Sequence, residues 1–283
     1  MLCRYKEGCG QCANRCCAML IDSHVHLASY DSHEVSEIVR RASDAKVDVI
    51  ITASSTLESS RQSVELARVF PTVYAGIGIH PNRLREPLAP DAYDTLRELA
   101  ASSPRVVAIS ETGLDFLPNA PNRSLQEEAF RFQLRLAREL GLPVNWHSQV
   151  LEPGVSGLHS ETLRVLKEEG AGELGGVMHY FQADESTAWA AIEGGFYISF
   201  AKPLLRLPHL PEVARRIPLE HIVLETDAGP QRWKENRADW TEPKDIPLIA
   251  ERLAELKGVP VEEVARVTTF LQAKPATTSW SDS

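Results

Sequence analysis

The sequence lacks cysteine almost everywhere, because all five cysteines lie within the first 17 of its 283 residues. A secreted fold held by disulfides distributes its cysteines along the chain, so the rest of this protein was built without that chemistry. No apolar run approaches the roughly 20 residues that a membrane-spanning helix needs, and the N-terminus lacks the apolar segment of a signal peptide. We therefore expect a cytoplasmic protein with no membrane insertion.

An excess of positive charge is also missing. The formal net charge is −9 and the isoelectric point is about 5.5. A protein that coats DNA shows a basic footprint, and this composition does not. Metal cations in a site supply local positive charge that a formal count omits, so the composition still allows a nucleic-acid substrate.

The chain does contain a regular alternation of strand-like and helix-like segments. Short runs rich in β-branched residues cover Leu20–Val25, Val47–Ala53, Thr72–Ile79, Arg105–Ser110, Pro143–Trp146, Leu174–Met178, Phe196–Phe200 and His221–Glu225. Apolar residues recur at helical spacing over Asn122–Leu140 and over Pro243–Lys257, where Gly258 predicts the end of the helix. Eight strands alternating with helices predict an α/β fold, a parallel sheet closed into a (β/α)8 TIM barrel.

The domain organisation follows from the extent of this alternation. Residues 19–272 fit one barrel domain of ordinary size, with no linker inside it. Residues 1–18 form a short Cys-rich N-terminal extension. Residues 273–283 are polar and aperiodic, which predicts a disordered tail.

Histidines and acidic residues follow the predicted strand ends. They are His24, His26, His80, Glu111, His147, His179 and Asp227. In a TIM barrel the carboxyl ends of the strands meet at one rim, where catalytic groups collect. Imidazoles with carboxylates suit Zn²⁺, Mn²⁺ or similar ions, and the two oxygens of Glu111 can bridge two of them. By contrast, we interpret His33, His159 and His209 as surface residues, and His221, at the opposite end of its strand, as structural.

The motifs around these residues are IDSHVHL, AGIGIHP, ISETGLDF, PVNWHS, GVMHYF and VLETDAG. In this order and spacing, over roughly residues 19 to 270, the chain resembles the TatD-like metal-dependent deoxyribonucleases of the amidohydrolase superfamily. The resemblance implies a TIM barrel with two divalent metal cations (Zn²⁺, Mn²⁺ or Mg²⁺). It also implies hydrolysis of nucleic acid, with single-stranded DNA the expected substrate and 3′→5′ exonuclease action the expected mode.

The resemblance further assigns roles by position. The metal ligands would be His24, His26 and Asp227 for one ion and His147 and His179 for the other, with Glu111 bridging both. Asp227 would also accept a proton from the attacking water, Glu225 would be a candidate ligand of a third metal, and His80 would contact the substrate. Asp22 either orients an imidazole or satisfies backbone amides; the residues leave both readings open.

Several positions depart from the family pattern. Asn82 stands where the family often has a histidine, Gln149 where it often has an arginine, and Ala183 where it usually has a glycine. Losing a guanidinium that could grip a phosphate with two hydrogen bonds weakens the case for DNA. The alternative is an amidohydrolase-type enzyme that cleaves a C–N or ester bond of a small metabolite or aminoacyl ester. A degenerate barrel used only for binding is a third reading, against which the complete ligand set argues.

The N-terminal cysteines form a separate motif. Cys9, Cys12 and Cys16 follow a Cys-x2-Cys-x3-Cys spacing, which can hold zinc or an iron–sulfur cluster. Members of the family commonly begin at a position equivalent to Met19. Residues 1–18 are therefore either a genuine extension or the product of an upstream start codon.

Overall fold

An eight-stranded parallel sheet organises the chain in the computed structural model, which describes residues 19–150 and 159–272. The strands are β1 Leu20–Val25, β2 Val47–Thr52, β3 Val73–Ile77, β4 Val106–Asp115, β5 Val144–Gln149, β6 Gly176–Met178, β7 Tyr197–Phe200 and β8 Ile222–Leu224. Each strand pairs in parallel with the next one along the chain. All eight predicted strands are present, and the (β/α)8 prediction is confirmed.

Helices cover the outside of the sheet. Within the described residues they are α1 Ser32–Asp44, α2 Leu57–Val69, α3 Pro90–Ala101, α4 Arg123–Leu140, α5 His159–Glu168, α6 Glu185–Glu193, α7 Leu210–Arg216, α8 Ile246–Lys257 and α9 Val261–Gln272. None of these helices is both long enough and apolar enough to cross a bilayer. Helix α8 ends as predicted, because Gly258 adopts the left-handed conformation (φ 66°) that favours glycine.

The barrel closes between its first and last strands at their carboxyl ends. Val25 and Ala228 form a parallel bridge, and the amide of His26 donates to the carbonyl of Ala228 at 2.8 Å. The amide of Asp227 donates to the carbonyl of His24 at 3.0 Å. This closure brings Asp227 next to the His-x-His motif, although about 200 residues separate them in the sequence.

Strand β4 is longer than its apolar residues predict. The expected strand ended at Ser110, whereas pairing with β5 continues to Asp115 opposite Gln149. Four of the five added residues are polar or glycine, so hydrophobic periodicity does not detect them. Gly113 is required in this stretch, because a Cβ there would lie 2.0 Å from the carbonyl oxygen of His147. The close approach places the last part of β4 directly against β5.

The N-terminal extension and the tail lie outside the described residues. Nothing therefore tests the candidate Cys site at Cys9, Cys12 and Cys16, the zinc or iron–sulfur cluster assigned to it, or the disordered tail.

Candidate metal centre

The carboxylate of Glu111 lies at the centre of the rim at the carboxyl ends of the strands. Glu111 is 4% exposed, so the charge of its carboxylate is almost fully removed from water. Its oxygen Oε1 lies 2.7 Å from His179 Nε2 and 3.0 Å from His147 Nδ1. Its oxygen Oε2 lies 3.7 Å from His24 Nε2 and 3.8 Å from His26 Nε2. Each oxygen of Glu111 therefore faces a different pair of histidines.

Asp227 completes the His24–His26 side of the centre. Its Oδ1 lies 3.2 Å from His26 Nε2 and 3.9 Å from His24 Nε2. The side chain of Asp227 is 26% exposed, whereas that of His24 is fully buried. Asp227 is thus the carboxylate of this centre that solvent and a substrate can reach.

The backbone is strained at the residue that supplies this carboxylate. Asp227 has a φ of 52°, in the left-handed region that few residues other than glycine adopt. Such a conformation costs about 1–3 kcal/mol and persists only where surrounding contacts impose it. Those contacts are the β1–β8 closure and Asp22, whose Oδ1 accepts the amide of Thr226 at 2.9 Å and whose Oδ2 accepts its hydroxyl at 2.5 Å.

These contacts favour the reading in which Asp22 satisfies backbone amides over the one in which it orients an imidazole. Its Oδ1 also accepts the amide of His24 at 3.3 Å. The hydrogen bonds of Asp22 among the described residues therefore go to the backbone and to a threonine hydroxyl, and they fix the chain on both sides of the barrel closure.

The donor atoms of the centre fit divalent metal ions. Both ring nitrogens of His24 are buried without a hydrogen-bond partner among the described residues, as is Oε2 of Glu225. An unpaired buried polar group costs about 1–3 kcal/mol, so such nitrogens call for a cation or another partner. An imidazole lone pair also cannot face a carboxylate oxygen at 2.7 Å, as His179 faces Glu111, unless a proton or a metal ion lies between them.

Within the part of the chain that the structure describes, three overlapping triads of side chains bring their ligand atoms within 4.8 Å of one another. They are His24, His26 and Glu111; His24, His179 and Asp227; and His80, Glu111 and His147. Together they contain all six ligands inferred from the resemblance. They also contain His80, which the resemblance assigns to the substrate, and they omit Glu225.

The hydrogen bonds of His80 argue against a ligand role. Its Nδ1 accepts the amide of Asn82 at 3.0 Å, and its Nε2 lies 3.3 Å from Glu111 Oε1. A nitrogen that accepts an N–H carries no proton, so neutral His80 has its proton on Nε2. Burial lowers the pKa of His80, which keeps the ring neutral. Nε2 is therefore a hydrogen-bond donor in the centre.

The two histidines nearest to Glu111 Oε1, His147 and His179, each face a second carboxylate through the other ring nitrogen. His147 Nε2 lies 3.2 Å from Asp115 Oδ2, and His179 Nδ1 lies 3.3 Å from Glu225 Oε1. An ionised carboxylate holds the proton on the nitrogen that faces it, which leaves the opposite nitrogen free as a ligand. The free nitrogens are Nδ1 of His147 and Nε2 of His179, and both face Glu111.

Electrostatics keep the Glu111 carboxylate ionised and the His24 ring neutral. Burial alone would raise the pKa of Glu111, but His80, His179 and His147 outweigh it and hold that pKa well below the usual range. Burial, followed by the charge of His179, holds the pKa of His24 well below the usual range. The other three rings differ: burial alone would lower the pKa of His26, His147 and His179, but the neighbouring carboxylates outweigh it and raise that pKa. Because metal ions bind ionised carboxylates and neutral imidazoles, a bound ion would displace a proton from these rings.

Asp115 was not detected by the sequence analysis, although it lies within the quoted motif ISETGLDF. It is fully buried, and it accepts hydrogen bonds from the amide of Leu117 at 2.8 Å and the side chain of Asn82 at 2.6 Å. Burial alone would raise its pKa, but bonds to His147, Leu117 and Asn82 lower it instead. The sequence shows only an acidic residue five positions beyond the predicted end of the strand at Ser110. Its role can be interpreted because β4 continues to Asp115 in the structure.

Two glutamines of α4 were also not detected. Gln133 bonds both backbone groups of Ile79, and Gln126 does the same at Asp115, with all four distances between 2.7 and 3.2 Å. These bonds fix the ends of the strands that carry His80 and Asp115. The signal is that two polar residues, Gln126 and Gln133, lie beside the predicted apolar stripe and are about two helical turns apart.

The remaining histidines correct one prediction. His33 is exposed and His209 is half-buried. His159 was predicted to lie on the surface, and this is wrong: it is 3% exposed, and its Nδ1 lies 2.8 Å from the hydroxyl of Ser148. Burial lowers the pKa of His159 to about 4, so the ring is neutral. His159 begins α5 beside β5, and its buried position depends on that partner strand.

Comparisons with known proteins agree with this geometry. The model of the family described as TatD related DNase matches residues 21–273. The uncharacterized metal-dependent hydrolase YabD of Bacillus subtilis is 33% identical over 264 residues, which is 89% of this chain and 96% of the relative. The human deoxyribonuclease TATDN3 is 30% identical, over 88% of this chain and 92% of the relative. The crystal structure of YJJV, a TatD homolog from Escherichia coli, superposes with a TM-score of 0.79 at 25% identity, covering 89% and 95%.

Proposed function

The chain belongs to the TatD related DNase family and is a metal-dependent hydrolase, and from that premise we propose that it cleaves phosphodiester bonds at the 3′ ends of single-stranded DNA. The observation that carries the proposal is the centre around Glu111, where two buried oxygens face two different pairs of histidines. The name of the human relative supports a nucleic-acid substrate. We also propose that residues 19–272 act as one hydrolase domain.

The centre would hold two divalent cations, Zn²⁺, Mn²⁺ or Mg²⁺. The proposed ligands are His24, His26 and Asp227 for the first ion and His147 and His179 for the second, with Glu111 shared between them. This division follows the two oxygens of Glu111 and the free nitrogens described above. Glu225 faces the other nitrogen of His179 and would orient that ring; its role with a third metal stays a prediction.

The protein's own groups would divide the work of hydrolysis. Divalent cations held by these residues would supply polarisation of the phosphate and acidification of a water molecule. Asp227 would accept the proton of the attacking water at Oδ1, because it is the carboxylate of the centre that reaches solvent. Burial alone would raise the pKa of Asp227, but the hydrogen bond and charge of His26 lower it, so the carboxylate is ionised. His80 would donate a hydrogen bond from Nε2 to a phosphate oxygen and keep its proton.

A second candidate is hydrolysis of a C–N or ester bond in a small molecule. It is favoured by two residues near the carboxyl ends of β3 and β5: Asn82 turns its amide to Asp115, and exposed Gln149 carries no charge. Neither residue supplies the guanidinium that would grip a phosphate with two bonds.

A side-by-side assay separates the two candidates. The chain, supplied with Zn²⁺, Mn²⁺ or Mg²⁺ in turn, is given 5′-labelled single-stranded DNA, RNA of the same sequence, and a panel of simple esters and amides. We expect the labelled DNA to shorten progressively from its 3′ end as mononucleotides are released, and no shortening with a chain treated with a chelator. Turnover of esters or amides with intact DNA would reject the nuclease in favour of the second candidate.

Replacing His80 by alanine should weaken turnover without removing metal. The variant loses a hydrogen-bond donor to the substrate, and one such bond to a charged group is worth about 1.5–3 kcal/mol, or roughly 10–100-fold in kcat/KM. Elemental analysis should find the same metal content as in the unmodified chain. If metal content falls instead, His80 is a ligand and its assigned tautomer is wrong.

A further inference from the structure

Asn82 connects the loop after β3 to the carboxylate that orients His147. Its side-chain Nδ2 lies 2.6 Å from Asp115 Oδ2, the same oxygen that lies 3.2 Å from His147 Nε2. The other oxygen of Asp115 accepts the amide of Leu117. The Asp115 carboxylate thus has three partners: the Asn82 amide, the Leu117 amide and the His147 ring.

The orientation of the Asn82 amide is determined by these contacts. Turning its oxygen toward Asp115 would place two acceptors against each other, so the nitrogen must face the carboxylate. Oδ1 is left buried without a partner among the described residues, a cost that no hydrogen bond offsets. The side chain is therefore placed for what it donates to Asp115.

We propose that Asn82 is a positioning residue for metal binding, acting through Asp115 to keep His147 in the tautomer whose Nδ1 is free. The inference rests on the proposed function only in taking His147 as a metal ligand. Without Asn82, the Asp115 carboxylate could rotate and turn Oδ2 away from His147 Nε2. The Asn82 amide removes that freedom by occupying the lone pair of Oδ2 that His147 does not use. An amide carries no proton that titrates near neutral pH, so this restraint adds no charge to the site.

The first test compares metal affinity among variants of the full chain by calorimetric titration with Zn²⁺. Asn82→Leu removes the donor and also removes a buried unpaired acceptor, so the fold should tolerate it. We expect its affinity to fall about 10–100-fold, the usual effect of losing such an orienting partner. Asn82→His restores a donor and should recover most of the loss. The matched control is Asn236→Leu, which breaks another amide–carboxylate bond, to Asp239 at 3.3 Å, that does not reach a histidine.

The second test asks whether the effect passes through Asp115. In a double-mutant cycle of Asn82→Leu and Asp115→Asn, the double variant should bind Zn²⁺ no worse than Asp115→Asn alone. Nitrogen-15 NMR of labelled histidine should show the His147 proton leaving Nε2 in both single variants. Additive losses, an unchanged tautomer, or an affinity of Asn82→Leu equal to that of Asn236→Leu would each overturn the proposal. Because the readouts are metal affinity and tautomer, a chain that binds metal but spares DNA refutes the nuclease without affecting this result.

Discussion

Replacing Asp227 by asparagine is expected to abolish most turnover on single-stranded DNA while the fold and at least one bound metal ion are retained. Asparagine keeps the size and one oxygen, which can still approach His26 as Oδ1 does at 3.2 Å. It loses the negative charge and the ability to accept a proton. General-base catalysis typically contributes about 10²–10⁴-fold, and we expect kcat to fall within that range.

Asparagine also tolerates the backbone that this position requires. Asn and Asp are enriched several-fold among residues with positive φ, so the φ of 52° should persist and the melting temperature should change little. The measurements are kcat, metal content and melting temperature. The control is Asp239→Asn, which removes a carboxylate from the same loop at a site that faces Asn236 instead of the centre. Near-normal turnover of Asp227→Asn on every substrate would assign water activation to another group.

Replacing Glu111 by glutamine is expected to remove metal together with activity. Only a carboxylate can offer an anionic oxygen to both histidine pairs, and glutamine would place an NH2 group where one of the two oxygens now lies. Changing a group that merely orients a ligand costs about 10–100-fold in metal affinity, so loss of the shared ligand should cost about 100-fold or more. Elemental analysis should find about two ions per unmodified chain and fewer than one per variant chain.

The control for Glu111→Gln changes another carboxylate that is comparably buried. Glu242→Gln changes a carboxylate that is 1% exposed and bound by Arg41 at 2.8 and 3.0 Å, outside the centre. We expect that variant to lose stability and keep its metal. To exclude ions held by thiolates, both variants are also prepared with all five cysteines replaced by serine. If Glu111→Gln keeps two ions per chain, the shared-carboxylate arrangement is wrong.

Much of the centre follows from local patterns in the sequence. His24 and His26 share one face of a strand because side chains alternate, and Glu111 and His147 lie on strands that were recognised independently. In a barrel of parallel strands every carboxyl end reaches the same rim, so strand direction alone brings distant residues together. That is why the proposed ligands lie within one cluster in the structure, as expected from their positions.

Other features depended on partners that the local sequence does not specify. His159 resembles an ordinary residue at the start of an amphipathic helix, and the sequence near it does not reveal that the hydroxyl of Ser148 meets its buried ring nitrogen. Asp115 and Asn82 are polar residues near strand ends, and hydrophobic periodicity carries no information about them. Their importance became visible when the added pairing of β4 with β5 placed the Asp115 carboxylate beside His147.

The sequence by itself determined the barrel, the strand ends and the residue types that reach the rim, because periodicity and strand direction are local properties. The tertiary structure decided which nitrogen of each imidazole faces Glu111 and which faces a second carboxylate. Those choices depend on hydrogen bonds between residues 32 to 46 positions apart, as for His147 with Asp115 and His179 with Glu225. A tautomer is set by the partner of the opposite nitrogen, and only the folded chain brings that partner into contact.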